Sequence, residues 1–188
     1  MGVATAAHQI EGNNANSDYW VMEHVSDSYF KEKSGDACDS WNRWPEDIAL
    51  IKSAGLNAYR FSVEWARIEP EQGEFSQATL DYYRRLRIAC RNADIEPVVT
   101  LHHFTSPRWV AAIGGWEIPA VIDRYARYVE RTARALGDVV GWFCTMNEPN
   151  TGHIESVATQ TLGAGTPPAR RGSATGKFRQ VPYVFSWR

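Results

Sequence analysis

The chain has 188 residues, a formal net charge of −2 and a hydrophobic fraction of 44%. This length and apolar content suffice for a single domain with its own core. The near balance of charge argues against nucleic acid or a charged membrane surface as a partner.

The N-terminal segment and the cysteines favour the reducing cytoplasm. The first 12 residues, MGVATAAHQIEG, lack a basic leader followed by an apolar core. No apolar run approaches the roughly 18 residues that a membrane helix needs. Cys38, Cys90 and Cys144 lack metal-ligand spacing and cannot all pair. We therefore expect a cytoplasmic protein without a membrane span, a metal site or a disulfide framework.

The first predicted elements are an N-terminal strand, GVATAA, and a helix that opens with Pro45. The acidic residues Glu46 and Asp47 follow the proline, and Gly55 ends the helix, as the chemistry of helix starts and stops favours. The apolar stretch AYRFSVEW, residues 58–65, comes next and is predicted to be the second strand.

The second helix is amphipathic and breaks at residues 92–94. Its apolar face carries Leu80, Tyr83 and Leu86, which recur at helical spacing. It leads into PVVTLHHF, residues 97–104, which we predict to be the third strand.

The third helix places Ile122, Tyr125, Val129 and Leu136 on one face and ends at Gly137. Its opposite face is rich in arginine and is interpreted as solvent-exposed. The helix leads into the apolar run VVGWFCT, which predicts a fourth strand.

The repeating unit is therefore a helix followed by a strand, which implies parallel strands joined by right-handed crossovers. A spacing of about 40 residues per unit fits a TIM-type barrel better than a dinucleotide-binding sheet, and the chain has no GxGxxG motif. We predict an α/β fold that forms about the first four βα units of a (β/α)8 barrel, over residues 1–150.

Residues 151–188 differ in composition from the rest of the chain. Five glycines and the pair Pro167 and Pro168 interrupt residues 151–180, with little periodicity. We predict an irregular tail, in which VPYVFSW is one short strand or an apolar end.

The hexapeptide TMNEPN, residues 145–150, is the best candidate for chemistry. A strand covered by helices reaches substrate mainly through the residues at its carboxyl end. Pro149 prevents the strand from continuing. Asn147 places an amide donor and acceptor beside the carboxyl group of Glu148, which suits a substrate rich in hydroxyls.

Five segments, in this order, resemble a known family: ATAAHQIEG, NAYRFSVEWARIEPEQGEF, VVTLHHFTSPRW, GGWEIPAVIDRYARYVE and TMNEPN. The family is glycoside hydrolase family 1, the retaining β-glycosidases that include β-glucosidases. The resemblance covers residues 2 to about 150, and LGAGTPPARRG in the tail is a faint further likeness. It implies the N-terminal half of a TIM barrel that acts on a small β-glycoside or oligosaccharide without a cofactor.

The resemblance also implies roles for individual residues. Glu148 matches the family's general acid/base, and Asn147 matches the residue that holds the sugar 2-hydroxyl. Gln9 and His103 match donors to hydroxyls on the far side of the same ring.

Two further matches concern the second carboxylate and the sugar face. Arg60 matches the arginine that lies beside the family's nucleophile and keeps it ionised. Phe104 stands where the family often has tryptophan, so a ring face is kept and an indole N–H donor is lost.

The family's nucleophilic glutamate has no counterpart, because no ITENG-like segment is present in the 188 residues. Retaining hydrolysis uses two carboxyl groups about 5 to 5.5 Å apart, one to protonate the leaving oxygen and one to form the glycosyl-enzyme bond. We therefore expect the acid/base-bearing half of a β-glycosidase, and we expect the isolated chain to be inactive. The sugar and aglycone specificity stay open.

Two alternatives remain open. The chain could be a catalytically silent remnant that at most binds sugar through Gln9, His103 and Asn147, or it could work by docking to another chain that supplies the remaining strands. The outer strands GVATAA and VVGWFCT would carry unpaired backbone groups. We therefore expect self-association through open barrel edges.

The neighbouring histidines and tryptophans have simpler interpretations. His102 and His103 cannot readily share one metal ion, because adjacent strand residues point to opposite faces. His102 is interpreted as structural. Trp109 and Trp116 either line a substrate mouth or anchor a long loop.

Three carboxylates near the start of the chain are interpreted as solvated loop residues. They are Glu11, Asp18 and Glu23.

Overall fold

The computed structural model describes residues 1–138, 140–149 and 184–186. The strands of its sheet are β1 Gly2–Ala4, β2 Ala58–Ser62, β3 Glu96–Thr100, β4 Trp142–Cys144 and β5 Val184–Ser186. The helices are α1 Ala7–Ile10, α2 Asp18–His24, α3 Ser40–Ser53, α4 Trp65–Ile68, α5 Gln77–Asn92, α6 Arg108–Ala112 and α7 Ala120–Leu136, with a 3₁₀ turn at Gly115–Glu117.

The strands lie in the sheet in the order in which they occur in the chain. β1, β2, β3 and β4 are parallel neighbours, with Val3 opposite Tyr59 and Val99 opposite Phe143. This succession of parallel strands is the one expected for the first four units of a TIM barrel. All four carboxyl ends therefore lie at one edge of the sheet.

The core lies between the sheet and the long helices α3, α5 and α7. Alternate strand residues such as Tyr59, Phe61 and Val99 point into it and are almost fully buried. Trp65 packs at its centre, with its ring stacked on that of Tyr128 at 4.8 Å. Burial of this apolar surface is the main force that holds the helices against the sheet.

The helix α3 begins earlier than predicted, at Ser40, so that Pro45 lies inside it instead of at its start. The proline removes one backbone donor from the helix. Trp41, in the added first turn, packs its ring on that of Tyr82 at 3.8 Å. This tertiary contact lies outside the local pattern that predicted the helix start.

Strands β2 and β3 are shorter than the predicted stretches, residues 58–65 and 97–104. β2 ends at Ser62 and β3 at Thr100, so the polar residues that follow each strand belong to loops or to the short helix α4. On α7 the predicted apolar face is correct for Leu136, which is 1% exposed, and wrong for Ile122, which is 66% exposed.

The expectation of an open edge on the fourth strand is wrong, because β5 pairs with β4 in antiparallel orientation and Phe143 lies opposite Phe185. β1 has a single neighbour among the described strands, namely β2. The boundary at residue 150 stays a prediction, and the predicted irregular tail lies outside the described residues apart from 184–186.

A search of the described helices found none with the length and hydropathy needed to cross a membrane.

Candidate active site

The candidate residues follow the carboxyl ends of the parallel strands, except that Arg60 lies within β2, and Asn147 is held by two hydrogen bonds. Asn147 is 8% exposed, and its backbone N–H donates to the carbonyl oxygen of His102 at 2.9 Å. Nη2 of Arg60 donates to its side-chain oxygen Oδ1 at 3.1 Å. A guanidinium only donates, so this contact fixes the orientation of the amide and directs the amino group of Asn147 elsewhere.

Glu148 follows directly and is exposed. Its backbone has a φ of 42°, in the left-handed region that residues other than glycine seldom adopt. Such conformations cluster at functional sites, where the surrounding structure enforces them. The left-handed conformation at Glu148 therefore turns the backbone away from the direction of β4.

His103 lies within electrostatic reach of both Arg60 and Glu148. Burial, together with a smaller contribution from the charge of Arg60, lowers the pKa of His103 to about 4, and Glu148 opposes the shift. The imidazole is therefore neutral at neutral pH and carries one donor and one acceptor. Its Nδ1 is buried and has no hydrogen-bond partner among the described residues. The structure thus brings Arg60, His103, Asn147 and Glu148 together.

Phe104 and Gln9 make fewer contacts with the other candidate residues. Phe104 has a φ of 67°, and its ring meets that of His103 edge-on at 4.8 Å. Gln9 lies in α1 and is exposed. Within the described residues, no recorded hydrogen bond joins its side chain to the other candidate residues.

The interpretation of the early carboxylates as solvated is wrong, beginning with Glu11. The residue is 5% exposed, and its carboxyl group accepts a hydrogen bond from the hydroxyl of Tyr83 at 2.9 Å and pairs with Nε of Arg67 at 3.1 Å. Burial raises the pKa of Glu11 to about 8, although Arg67 opposes this shift and the nearby Glu64 adds to it. Glu11 is therefore part of a buried polar network.

Asp18 is half-buried and is held by backbone donors. Its Oδ1 accepts from the backbone N–H groups of Ser106 at 2.9 Å and Tyr19 at 2.8 Å. Burial raises the pKa of Asp18 to about 8, and these N–H groups oppose the rise. Its own N–H donates to the carbonyl of Ser106 at 2.9 Å, so Asp18 fastens α2 to the loop after β3.

The two carboxylate oxygens of Glu23 contact His8 and the loop at Ser34. Oε1 lies 2.8 Å from Nε2 of His8, and Oε2 accepts from the backbone N–H and the hydroxyl of Ser34. Burial alone would raise the pKa of Glu23, but the contacts with Ser34 and His8 hold it below its usual value. No local sequence pattern predicts the contacts of these three carboxylates, because their partners lie in other segments of the chain.

His102 and the two tryptophans support the loop after β3. His102 is 4% exposed and lies 3.2 Å from the hydroxyl of Ser106, which also accepts from Nε1 of Trp116 at 3.0 Å. Burial lowers the pKa of His102 to about 3, so it is neutral. Nε1 of Trp109 donates to the carbonyl of Glu69 at 2.9 Å, which is an anchoring contact.

Among the described residues, no group of three or more His, Cys, Asp or Glu side chains is arranged to hold a metal ion. The polar groups around Asn147 are neutral donors, one arginine and one carboxyl group. Such a set suits a neutral ligand with many hydroxyls.

The sheet with its strand-end polar residues is part of a TIM-barrel protein, and comparison with known proteins gives the family. The model for "Glycosyl hydrolase family 1" matches residues 1–177. The chain belongs to this family, which confirms the resemblance of its motifs and the partial-barrel fold.

The relatives of this chain include β-glucosidases. Coniferin β-glucosidase of Pinus contorta is 40% identical over 80% of this chain and 31% of its own length. The cytosolic β-glucosidase of Homo sapiens is 34% identical over 94% of this chain and 39% of its own length. The crystal structure of β-glycosidase BGL167 superposes with a TM-score of 0.78 at 56% identity, over 79% of this chain and 36% of that one. The chain thus spans about a third of the length of its relatives.

Proposed function

We propose that this chain contributes the acid/base side of a retaining β-glycosidase site, specifically that of a β-glucosidase. The observation that carries the proposal is the placement of Glu148 next to Asn147, which Arg60 orients, and within electrostatic reach of a neutral His103. β-Glucosidase relatives at 34 to 40% identity support the same assignment. The substrate is a small β-glucoside or a short oligosaccharide.

In this proposal Glu148 first acts as an acid. It gives its proton to the glycosidic oxygen as the bond to the sugar breaks, while a second carboxylate attacks the anomeric carbon from the other face. Glu148 then takes a proton from water as the water releases the sugar from that carboxylate. The amino group of Asn147 donates to the sugar 2-hydroxyl, where hydrogen bonds strengthen in the transition state.

His103 and Gln9 donate to the other hydroxyls of the ring, and Phe104 offers a ring face to the sugar. A neutral imidazole suits this role, because it donates a hydrogen bond without adding a positive charge next to the acid. Arg60 lies beside Asn147 and supplies the positive charge that keeps the attacking carboxylate ionised.

The second carboxylate has no matching motif in the 188 residues, so the mechanism needs strands from another polypeptide segment. We also propose the cytoplasm as the compartment, because a cytosolic human enzyme is among the relatives and the cysteines do not indicate a disulfide framework.

The experiment is a complementation assay. The chain is produced together with a polypeptide that carries the remaining strands of β-glycosidase BGL167, the relative with 56% identity. The kcat/KM of phenyl and 2,4-dinitrophenyl β-glucoside is compared for the wild type and Glu148→Gln, because kcat/KM reports formation of the glycosyl-enzyme and not its hydrolysis, in which Glu148 acts as a base on both substrates. We expect the kcat/KM of the variant to fall about 10²- to 10⁴-fold for the phenyl substrate and much less for the dinitrophenyl substrate, whose leaving group needs no proton.

Glu130→Gln is the matched control, since Glu130 is exposed on the outer face of α7 and should not affect turnover. An equal loss on both substrates, or no loss at all in Glu148→Gln, would overturn the assignment. If the two polypeptides do not assemble, an NMR titration of the chain alone with methyl β-glucoside tests whether these residues bind a sugar. The amide signals of His103 and Asn147 should then shift.

A further inference from the structure

The side chain of Tyr125, in the second turn of α7, contacts the segment that carries Glu148. Its hydroxyl donates a hydrogen bond to the carbonyl oxygen of Thr145. Thr145 is the first residue after β4 and precedes Glu148 by three positions. A side chain of helix α7 thus contacts the backbone of the segment that contains Glu148.

The ring of Tyr125 is held in place by other aromatic rings. Those of Trp116, Trp65 and Tyr128 lie 5.2, 5.5 and 5.9 Å from it. Burial raises the pKa of Tyr125 above its usual value, so that the group remains a phenol and a donor at neutral pH. The hydroxyl therefore has a defined position and a defined role in the hydrogen bond.

The backbone is hydrogen-bonded to the extension of β3 on both sides of Thr145, whereas in the part of the chain that the structure describes no backbone hydrogen bond joins Thr145 itself to that segment. Leu101 donates its N–H to the carbonyl of Cys144 at 2.8 Å, and Asn147 donates to the carbonyl of His102 at 2.9 Å. The carbonyl of Thr145 lies between these two bonds and accepts from Tyr125 instead. Tyr125 thus adds an anchor from the helix layer to a segment otherwise bonded to the extension of β3.

We propose that Tyr125 is a positioning residue for Glu148: its hydroxyl fixes the carbonyl of Thr145 and thereby the turn that presents the carboxyl group. The inference rests on the proposed role of Glu148. Position matters here, because a displacement of about 1 Å in a catalytic group can cost about 10²-fold in rate. A strained φ of 42° at Glu148 also needs a rigid segment before it.

The chain contains a matched control on the same helix. The hydroxyl of Tyr128, which is one turn further along α7, donates to the carbonyl of Leu101 at 2.7 Å. Both tyrosines therefore bind a backbone carbonyl just beyond a strand, but Tyr128 holds the extension of β3 and Tyr125 that of β4. Tyr125→Phe and Tyr128→Phe each remove one hydroxyl and keep the ring.

The first test is NMR on the full chain. In Tyr125→Phe we expect the largest amide shifts at Thr145, Asn147 and Glu148, with a changed chemical shift of the Glu148 carboxyl carbon. In Tyr128→Phe the largest shifts should fall at Leu101 and its neighbours, and the carboxyl carbon of Glu148 should stay as in the wild type. The same pattern in both variants, or an unchanged Glu148 in Tyr125→Phe, overturns the proposal.

A wild-type measurement does not depend on the folding of a variant. The hydroxyl proton of Tyr125 should exchange slowly and show a cross-peak to Thr145, and its absence also overturns the proposal. In the complementation assay we expect Tyr125→Phe to lower kcat about 10- to 100-fold with KM nearly unchanged. If Glu148→Gln has no effect on turnover while Tyr125→Phe shifts the Glu148 signals, the proposed function fails and the positioning contact stands.

Discussion

Arg60 and Asn147 lie 87 positions apart in sequence, and Nη2 of Arg60 donates to Oδ1 of Asn147 at 3.1 Å. The contact joins β2 to the end of β4 across β3. It fixes which end of the Asn147 amide faces a ligand, because arginine has no acceptor. The same arginine lowers the pKa of His103.

Arg60→Met should therefore raise the pKa of His103 from about 4 toward its usual value. The rise should be partial, because burial is the larger cause of the shift and stays in place. NMR titration of the imidazole protons measures it. Arg43→Met, which removes an exposed arginine on α3, should leave the pKa of His103 unchanged. An unchanged His103 in Arg60→Met would contradict the coupling.

Glu11 should make the chain less stable as the solution becomes alkaline. Because its pKa is raised from 4.5 to about 8, its stabilising contribution is complete below about pH 4.5 and is lost as the pH rises toward about 8. Between about pH 6.5 and 8.5, the free energy of unfolding of the wild type should fall by about 2 kcal/mol relative to Glu11→Gln. Urea denaturation at both pH values measures this difference.

The titration of His102 does not hide the change that is expected for Glu11 between about pH 6.5 and 8.5. Its pKa is lowered to about 3, so its stabilising contribution is present above the unfolded value of about 6.5 and is lost at lower pH. Glu46→Gln serves as the control, because Glu46 is exposed and its pKa is lowered by Arg43. Glu46→Gln should leave the slope between the two pH values unchanged, whereas equal slopes for wild type and Glu11→Gln would refute the prediction.

Arg87 should be replaceable with a gain in stability. It is 2% exposed, and its Nε and Nη1 have no hydrogen-bond partner among the described residues. The nearby carboxylates of Asp138 and Glu96 already pair with Arg84 and Arg91. Burial of the charge lowers the pKa of Arg87 to about 10, which reflects an unfavourable environment.

We expect Arg87→Met to raise the free energy of unfolding by about 1 kcal/mol, since it replaces a poorly compensated buried charge with an apolar side chain. Chemical denaturation gives the value. Arg84→Met is the comparison, because it removes the contacts of Arg84 with Asp138 and the carbonyl of Ala135 and should not stabilise the chain. A loss of stability in Arg87→Met would mean that its guanidinium is compensated.

Self-association through the edge of β1 is the fourth expectation. Ala4 is exposed on this strand, which pairs with β2 alone among the described strands. Ala4→Lys should reduce association seen by sedimentation velocity, because a charge on an edge strand disfavours pairing with another chain. Leu50→Lys, at a residue that is 66% exposed on α3, should have little effect. A monomeric wild type with a cooperative melt would exclude edge association.

Sequence patterning predicted the parts of the site that depend on strand periodicity. His103 and Asn147 follow two parallel strands, so they were expected at one edge of the sheet once the strands were recognised. The structure brings both near Arg60. The roles assigned to these side chains stay proposals.

The alternation of helix and strand and the parallel order were thus determined by the sequence alone, because they follow from local spacing of apolar and polar residues. The family motifs were also present in the sequence, where they were identified by their resemblance to glycoside hydrolase family 1. The burial of Glu11, the backbone hydrogen bonds to Asp18, the earlier start of α3 and the contact of Tyr125 with Thr145 were decided by the tertiary structure. The physical reason is that a pKa or a hydrogen bond depends on which groups the fold brings together, and those partners lie in distant segments of the chain.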